Sequence, residues 1–381
     1  MKILIAPNAF KNSLNATAVS LAIENGLQSS KLNATFECFP IADGGDGTGE
    51  LIIKKWNGKT INVEVTNPLG KKIQSSFGLI DDGKTAVIEM ANASGIRLLN
   101  VDELNPLLTS SFGTGELITA ALNYGVKKIV LGMGGSATVD GGIGILRALG
   151  VEFLDTDGNI LTNLPSELEK VSLIKTDKVD HRIFACELSI LCDVDNTLLG
   201  TDGAAHVFGP QKGANAQQVA KLESALQHFN EITFRQTGIN MADLKHGGTA
   251  GGAAAGLHVF LKAKLVNGID YFLKLTDFEK SLEDSDFLIT GEGCLDAQTL
   301  QGKAPMGVAK LAMARKIPVF ALAGSVSSAD LPRLREIFDV ILPISNKPMD
   351  LDEALRITAA NLSRTATELG NLIAAVSLCS E

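Results

Sequence analysis

The sequence predicts an α/β fold. A parallel, doubly wound sheet domain is assembled from both chain ends, and a second, mixed α/β domain is inserted between them. Three observations carry this expectation. Short apolar runs alternate with amphipathic helical patterns at both ends of the chain. The middle is richer in strands joined by tight turns. At 381 residues the chain is too long for one ordinary core, so two domains are expected.

The elements follow in order. Residues 2–6 are an apolar run of strand type. Residues 16–28 carry Ala18, Leu21, Ala22 and Ile23 at helical spacing, and the pattern ends near Gly26. Residues 35–41 form a second strand, which opens a β-α-β unit. At the other end, 286–289, 319–323 and 340–342 are short apolar strands, with helical patterns at 308–316, 331–337 and 351–369. Between the ends, 60–65, 72–80 and 85–90 read as strands, with turn signals at Asn67-Pro68-Leu69-Gly70 and Asp81-Asp82-Gly83. Helices are expected at 116–124, 144–149 and 216–236. The sheet domain is therefore expected to comprise 1–66 plus 285–381, and the inserted domain 67–284.

Bulk properties narrow the class. Hydrophobic residues make up 45% of the chain, enough for two cores. A formal charge of −9 argues against non-specific nucleic-acid binding, though a few local cations can still dominate an anion site. The apolar start is broken by Pro7 too soon for a signal peptide, and no apolar run approaches the ~18 residues of a membrane helix. Five cysteines, Cys38, Cys186, Cys192, Cys294 and Cys379, are scattered with no CxxC pair. That pattern points to a reduced, cytoplasmic protein without a zinc site. Neither a nucleic-acid nor a membrane partner is expected, and a homo-oligomer is permitted.

The most informative segment is 288–305. An apolar run stops at Thr290-Gly291-Glu292-Gly293, and Asp296, hydroxyls and Gly302-Lys303 follow before a helical pattern begins at Pro305. Acids can hold Mg²⁺ and lysine can neutralise phosphate, so this mixture suits phosphoryl chemistry. A literal GxxxxGK[ST] match at 78–85 is set aside, because strands flank it on both sides and Asp82-Gly83 is a hairpin turn. The glycine-rich stretch 131–142 lies between a strand and a helix start, a place where backbone N–H groups can receive phosphate. There Ser136 and Thr138 add hydroxyls, and Asp140 adds an acid able to reach a metal. Asp43 and Asp46 sit among glycines directly after a strand, where parallel sheets place ligands. Asp193 and Asp195 share one face of an extended segment, Lys212 lies in a Gly/Pro loop, and 247–256 is rich in small residues. Lys11 and Ser13 follow the first strand, a good place for a small anion.

Together these motifs resemble type I glycerate kinases, the bacterial family that phosphorylates glycerate with ATP. The matching segments are PNAFKNSL (7–14), PIADGGDGT (40–48), GMGGSATVDGG (132–142), CDVDN (192–196), FGPQKGA (208–214) and TGEGCLDAQTLQGKAP (290–305). They span most of the chain. The resemblance implies a Rossmann-like domain plus a second α/β domain, and an ATP- and Mg²⁺-dependent kinase making 2-phosphoglycerate or 3-phosphoglycerate. Family members often carry an acid and a serine where this chain has Asn8 and Ala9, and asparagine where it has Val139, so those side chains receive no role.

Within that reading, Lys11 and Ser13 would hold the glycerate carboxylate. Gly134, Gly135, Gly141 and Gly142, with Ser136, would cradle ATP phosphates. Asp193 or Glu292 would bind Mg²⁺, Asp296 or Asp43 would orient or deprotonate the attacking hydroxyl, and Lys303 would stabilise the transferring group. Two other classes would need different motifs. An NAD(P)-dependent hydroxyacid reductase should show GxGxxG after the first strand, where the chain has Pro7-Asn8-Ala9-Phe10. A non-catalytic sugar-acid sensor should carry a DNA-binding or partner module, and no basic helix-turn-helix segment is evident.

Overall fold

The computed structural model describes residues 1–378, so Cys379 lies outside the described residues. In chain order the strands are β1 (Lys2–Ile5), β2 (Thr35–Cys38), β3 (Lys59–Thr66), β4 (Lys72–Ile80), β5 (Thr85–Glu89), β6 (Lys128–Gly132) and β7 (Glu152–Leu154). They continue with β8 (Leu173–Lys175), β9 (Glu187–Cys192), β10 (Lys264–Asn267), β11 (Phe287–Leu295), β12 (Val319–Val326) and β13 (Val340–Pro343). The chain divides into two compact units, Met1–Asp43 with Ile269 onward, and Gly44–Gly268.

The first unit holds a five-stranded sheet in the order β13-β12-β11-β1-β2, parallel throughout. Interior strand β1 has Ile3, Leu4 and Ile5 fully buried, the unbroken apolar run expected of a strand covered on both faces. Asn15 caps the helix Ala16–Gln28 by accepting from Ala18 N at 2.9 Å, which satisfies one orphan donor of its first turn. That helix turns Val19, Ile23 and Leu27 into a cluster with Leu362, Ala366 and Leu369 of the helix Thr358–Leu378. The two helices cross closely at Gly26, where a Cβ would stand 2.1 Å from Ser363 O. Pairing runs from β1 outward to β2 on one side and through β11, β12 and β13 on the other. The order therefore reverses between β1 and β11, and such a switch point leaves a crevice at the strands' carboxyl ends.

The second unit holds a six-stranded sheet in the order β10-β9-β6-β5-β4-β3. Its first four strands are parallel, and β4 and β3 complete it antiparallel. Strands β4 and β5 pair as Ile80↔Thr85 and Gly78↔Val87. The phosphate-loop look-alike at 78–85 is thus a hairpin, as its turn chemistry required.

Three elements differ from the sequence expectation. The segment 44–66 lies in the second unit, because β3 pairs with β4 along its whole length from Lys59↔Leu79 to Thr66↔Lys72. Residues 269–284 lie in the first unit, where Phe278 meets Phe39 edge-on at 5.0 Å. Strand β11 does not stop at Ile289. It continues to Leu295, with Glu292↔Ala323 and Leu295↔Val326 in register. Glycine permits this extension, since a Cβ on Gly291 would lie 2.0 Å from Leu322 O. Among the described residues no helix is long and apolar enough to cross a membrane.

Candidate active site

In the first unit, the crevice between β1 and β11 opens into a cavity of about 660 Å³. Past β1, Asn8 N still donates to Gly291 O at 2.8 Å, which carries the chain over the end of β11 into the loop 9–13. Lys11 and Ser13 of that loop line the cavity with Glu292, Asp296 and Lys303. Of these five lining groups, four are charged side chains around one space.

Each is held differently. Glu292 sits on extended β11, is 6% exposed, and accepts from Thr299 Oγ1 at 2.6 Å. Burial pushes its carboxyl up to about 7, and the charges of Asp43 and Asp296 push the same way; Thr299 and Lys303 oppose them. Asp296 is the N-cap of Ala297–Leu300, its Oδ1 accepting from Gln298 N and Thr299 N. Only its Oδ2, 3.7 Å from Cys294 Sγ, is turned to other work. Lys303 precedes the helix Ala304–Ala314 and donates to Gln298 Oε1 at 2.8 Å. Asp43 accepts a long bond from Asn8 Nδ2, 3.4 Å. Ser13 departs from its expected role, because its hydroxyl proton goes to Leu355 O at 2.7 Å. It ties the loop to the helix Leu351–Arg356 and has no proton left for a carboxylate. Lys11 makes no side-chain bond among the described residues, so it is the cation available to an anion here.

In the second unit, the glycine-rich loop splits in two. Gly134 and Gly135 are accessible, and Ser136 beside them is 7% exposed. Gly141 and Gly142 are buried, so they are not the phosphate cradle the sequence suggested. A Cβ on Gly141 would lie 2.9 Å from the Phe229 ring. Their N–H groups are already donated, Gly141 to Gly251 O at 3.0 Å and Gly142 to Asp140 Oδ1 at 3.1 Å. Asp140 is the reason. It is 1% exposed and accepts from Ser111 N, Ser111 Oγ and Gly144 N as well. The anion at this helix start is the chain's own carboxylate. Asp140→Ala is expected to leave four buried donors short of their acceptor, at about 1–3 kcal/mol each, and to lower the melting temperature steeply in calorimetry. A near-native transition would show that the carboxylate is dispensable there.

In the sequence Lys212 stands out only as a lysine in a Gly/Pro loop, within the segment FGPQKGA (208–214). It is 3% exposed and donates to Ser136 Oγ at 2.9 Å and Thr138 O at 2.7 Å. Burial pulls its ammonium down to about 7, while Asp140 and Asp193 hold it up. It fixes the accessible turn from below. Asp193 follows β9 at its carboxyl end and is half-buried. Asp46 forms an ion pair with Arg97 at 3.0 Å, and Asp195 lies 3.1 Å from His246 Nδ1 and 3.4 Å from Lys245 Nζ, so neither acid is placed as a lone ligand. Among the described residues, no group of three or more His, Cys, Asp or Glu side chains clusters as a metal site. The thiols of Cys38, Cys186, Cys192 and Cys294 are free.

The sequence pattern of the Glycerate kinase family matches residues 3–374. The chain belongs to this family. It is 42% identical to a glycerate kinase of Bacillus subtilis (strain 168) over 97% of each chain. It is 38% identical to the glycerate 2-kinase of Escherichia coli (strain K12), over 98% of each. A crystal structure from Salmonella typhimurium LT2, provisionally named glycerate kinase 2, superposes with a TM-score of 0.84 at 39% identity and covers 99% of both chains. The family resemblance seen in the loop motifs therefore extends along the whole chain. What the sequence reading lacked is the burial and bonding of Lys212, whose segment 208–214 it had quoted, and the cavity wall built from 344–361, which carried no motif.

Proposed function

We propose that this chain is a glycerate kinase, transferring the γ-phosphoryl group of ATP to a hydroxyl of D-glycerate. The product is 2-phosphoglycerate or 3-phosphoglycerate, and the name of the Escherichia coli relative favours the first. The observation that carries the reading is the meeting of Lys11, Glu292, Asp296 and Lys303 around one cavity at the sheet's switch point, in a member of this family.

The roles follow from the chemistry. Phosphoryl transfer needs positioning and charge neutralisation more than a covalent nucleophile. Lys11, free of protein partners, would hold the glycerate carboxylate. Asp296 would orient the acceptor hydroxyl through Oδ2, with Asp43 adding negative potential beside it. Lys303 would meet the charge that grows on the transferring oxygens. In the second unit, exposed Gly135 would be the point of the turn that meets phosphate oxygens, since Gly134 N already donates to Gly44 O at 3.2 Å and buried Ser136 is held by Lys212.

Mg²⁺ fits these residues. It needs only one or two carboxylates when phosphate oxygens and water complete its shell, and Glu292 is a buried oxygen donor whose raised carboxyl would ionise beside a dication. Glu292 would hold it in the first unit; the other acid expected to do so, Asp193, is half-buried at the end of β9 in the second unit. When bound, the ion neutralises charge on the β- and γ-phosphate oxygens.

The direct test is ADP release on mixing the purified protein with ATP, MgCl₂ and D-glycerate, followed by phosphorus NMR of the product. A glycerate-dependent burst of ADP and one phosphoglycerate resonance are expected. Reduction of NAD(P) with no ADP would favour a reductase, and binding without turnover a sensor.

A further inference from the structure

The first unit's cavity is too large and too apolar for glycerate alone. About 660 Å³ falls within the roughly 300–1,000 Å³ of sites for drug-sized ligands and cofactors, and a three-carbon acid leaves most of that empty. The charged groups from the ends of β1 and β11 face this cavity, while Lys347 and Asp350, which also line it, are both engaged by Glu353, Lys347 through an ion pair at 2.9 Å and Asp350 as acceptor from Glu353 N. Phe10, Ile344, Pro348, Met349 and Leu355 form an apolar lobe. At its rim Leu351 is left 71% exposed, more than a large aliphatic side chain ordinarily is beside a concave wall.

One polar side chain stands in this setting. Asn361, on the first turn of the helix Thr358–Leu378, lines the cavity and is only 4% exposed. Its carboxamide has no hydrogen-bond partner among the described residues. Thr358, beside it, returns its hydroxyl to Ala354 O at 2.9 Å and so satisfies itself. A carboxamide that lines a cavity without a protein partner keeps its donor and acceptor for a ligand. A carboxamide presents a donor and an acceptor side by side, the complement of adenine's N6 amino group and its neighbouring ring nitrogen.

We infer that the apolar lobe between Phe10 and Leu355 is the seat of the nucleotide's adenine, with Asn361 reading the edge of the base. The lobe's aliphatic and aromatic walls cover the faces of the ring, Leu351 closes over it, and the phosphates lead toward Lys303. This placement rests on the kinase reading for its choice of nucleotide, and on the cavity alone for its choice of a planar base. On the N7 edge a 6-oxo purine offers two acceptors where adenine offers a donor and an acceptor, and no rotation of the Asn361 carboxamide satisfies both, so ATP is preferred over ITP.

Calorimetric titration with ADP, IDP and D-glycerate, on wild type, Asn361→Ala and Ala354→Phe, tests it. Ala354 lines the lobe and is half-buried on its helix, so the larger ring fills the space without entering the core. Both variants are expected to bind ADP at least tenfold more weakly, with D-glycerate affinity within about twofold, and Asn361→Ala is expected to lose the adenine preference. Unchanged ADP affinity in Ala354→Phe, or glycerate weakened in place of ADP, overturns the assignment. Circular dichroism spectra matching wild type show that either variant is folded. If wild type binds ADP in this way yet releases none with ATP and glycerate, the glycerate kinase reading falls and the base site stands.

Discussion

Lys303→Ala is expected to lower kcat by roughly 10²–10³-fold, the usual cost of deleting one donor aimed at charge that develops in the transition state. The KM for glycerate should change little, because in the proposed arrangement the ammonium group would meet the phosphoryl oxygens and the carboxylate would go to Lys11. Folding should be unaffected. Lys303 is half-buried, and its one hydrogen bond goes to Gln298 Oε1, 2.8 Å away. That contact also supplies the competing explanation, that Lys303 merely holds Gln298 and the short helix Ala297–Leu300 in place. Gln298→Ala separates the two. Near-native turnover in Gln298→Ala with loss in Lys303→Ala supports the electrostatic role, while equal losses would reduce Lys303 to a scaffold residue. Steady-state kinetics with ATP varied at saturating glycerate, and the reverse, read the outcome.

Much of this chemistry was legible in the residues before any coordinates. Segment 290–305 declared itself because acids, hydroxyls and a lysine are costly to gather around glycines without a use for them. The alternation of strands and helices at both ends placed that segment and Lys11 at the carboxyl side of one parallel sheet. What the sequence could not give is which polar atoms are already satisfied. Gly141 and Gly142 have the composition of a phosphate loop, but Asp140 is their anion, and a one-dimensional pattern does not distinguish an internal carboxylate from an external phosphate. Ser13 looked available until its hydroxyl was found on Leu355 O, an acceptor 342 positions away. The extent of β11 was also hidden, because Gly291 and Gly293 read as chain breakers. In the sheet they allow β11 and β12 to pass closely, with Gly324 against Gly293 O. Asn361 left no local trace at all. Residues 351–369 read as a single amphipathic helix, whereas the structure breaks them into Leu351–Arg356 and Thr358–Leu378 at Ile357, and the break brings Asn361 to the cavity.

Glu292→Gln is expected to separate the chemistry of the site from its cost to the fold. The carboxyl is raised from 4.5 to about 7, chiefly by burial. Between those values the folded chain holds a proton that the unfolded chain has released, so stability falls as pH climbs through the window. Below it the penalty is absent. Above it the penalty is complete, roughly 3 kcal/mol at 1.4 kcal/mol per unit. Glutamine keeps an oxygen for the Thr299 hydroxyl and cannot ionise. In metal-free buffer, the melting temperature of Glu292→Gln should therefore match wild type near pH 5 and exceed it by several degrees at pH 8. An offset that is the same at both pH values would mean that the carboxyl ionises without hindrance and that burial is not what raises it. The same substitution should cost about 10²-fold or more in kcat with Mg²⁺ and ATP, since a neutral amide is a poor ligand for a hard dication. A variant that is more stable at pH 8 and nearly inactive would show a carboxylate kept in the fold against its own stability, as groups retained for function are. One that is stabilised and fully active would remove Glu292 from the site and leave Asp193 as the acid to examine for the metal.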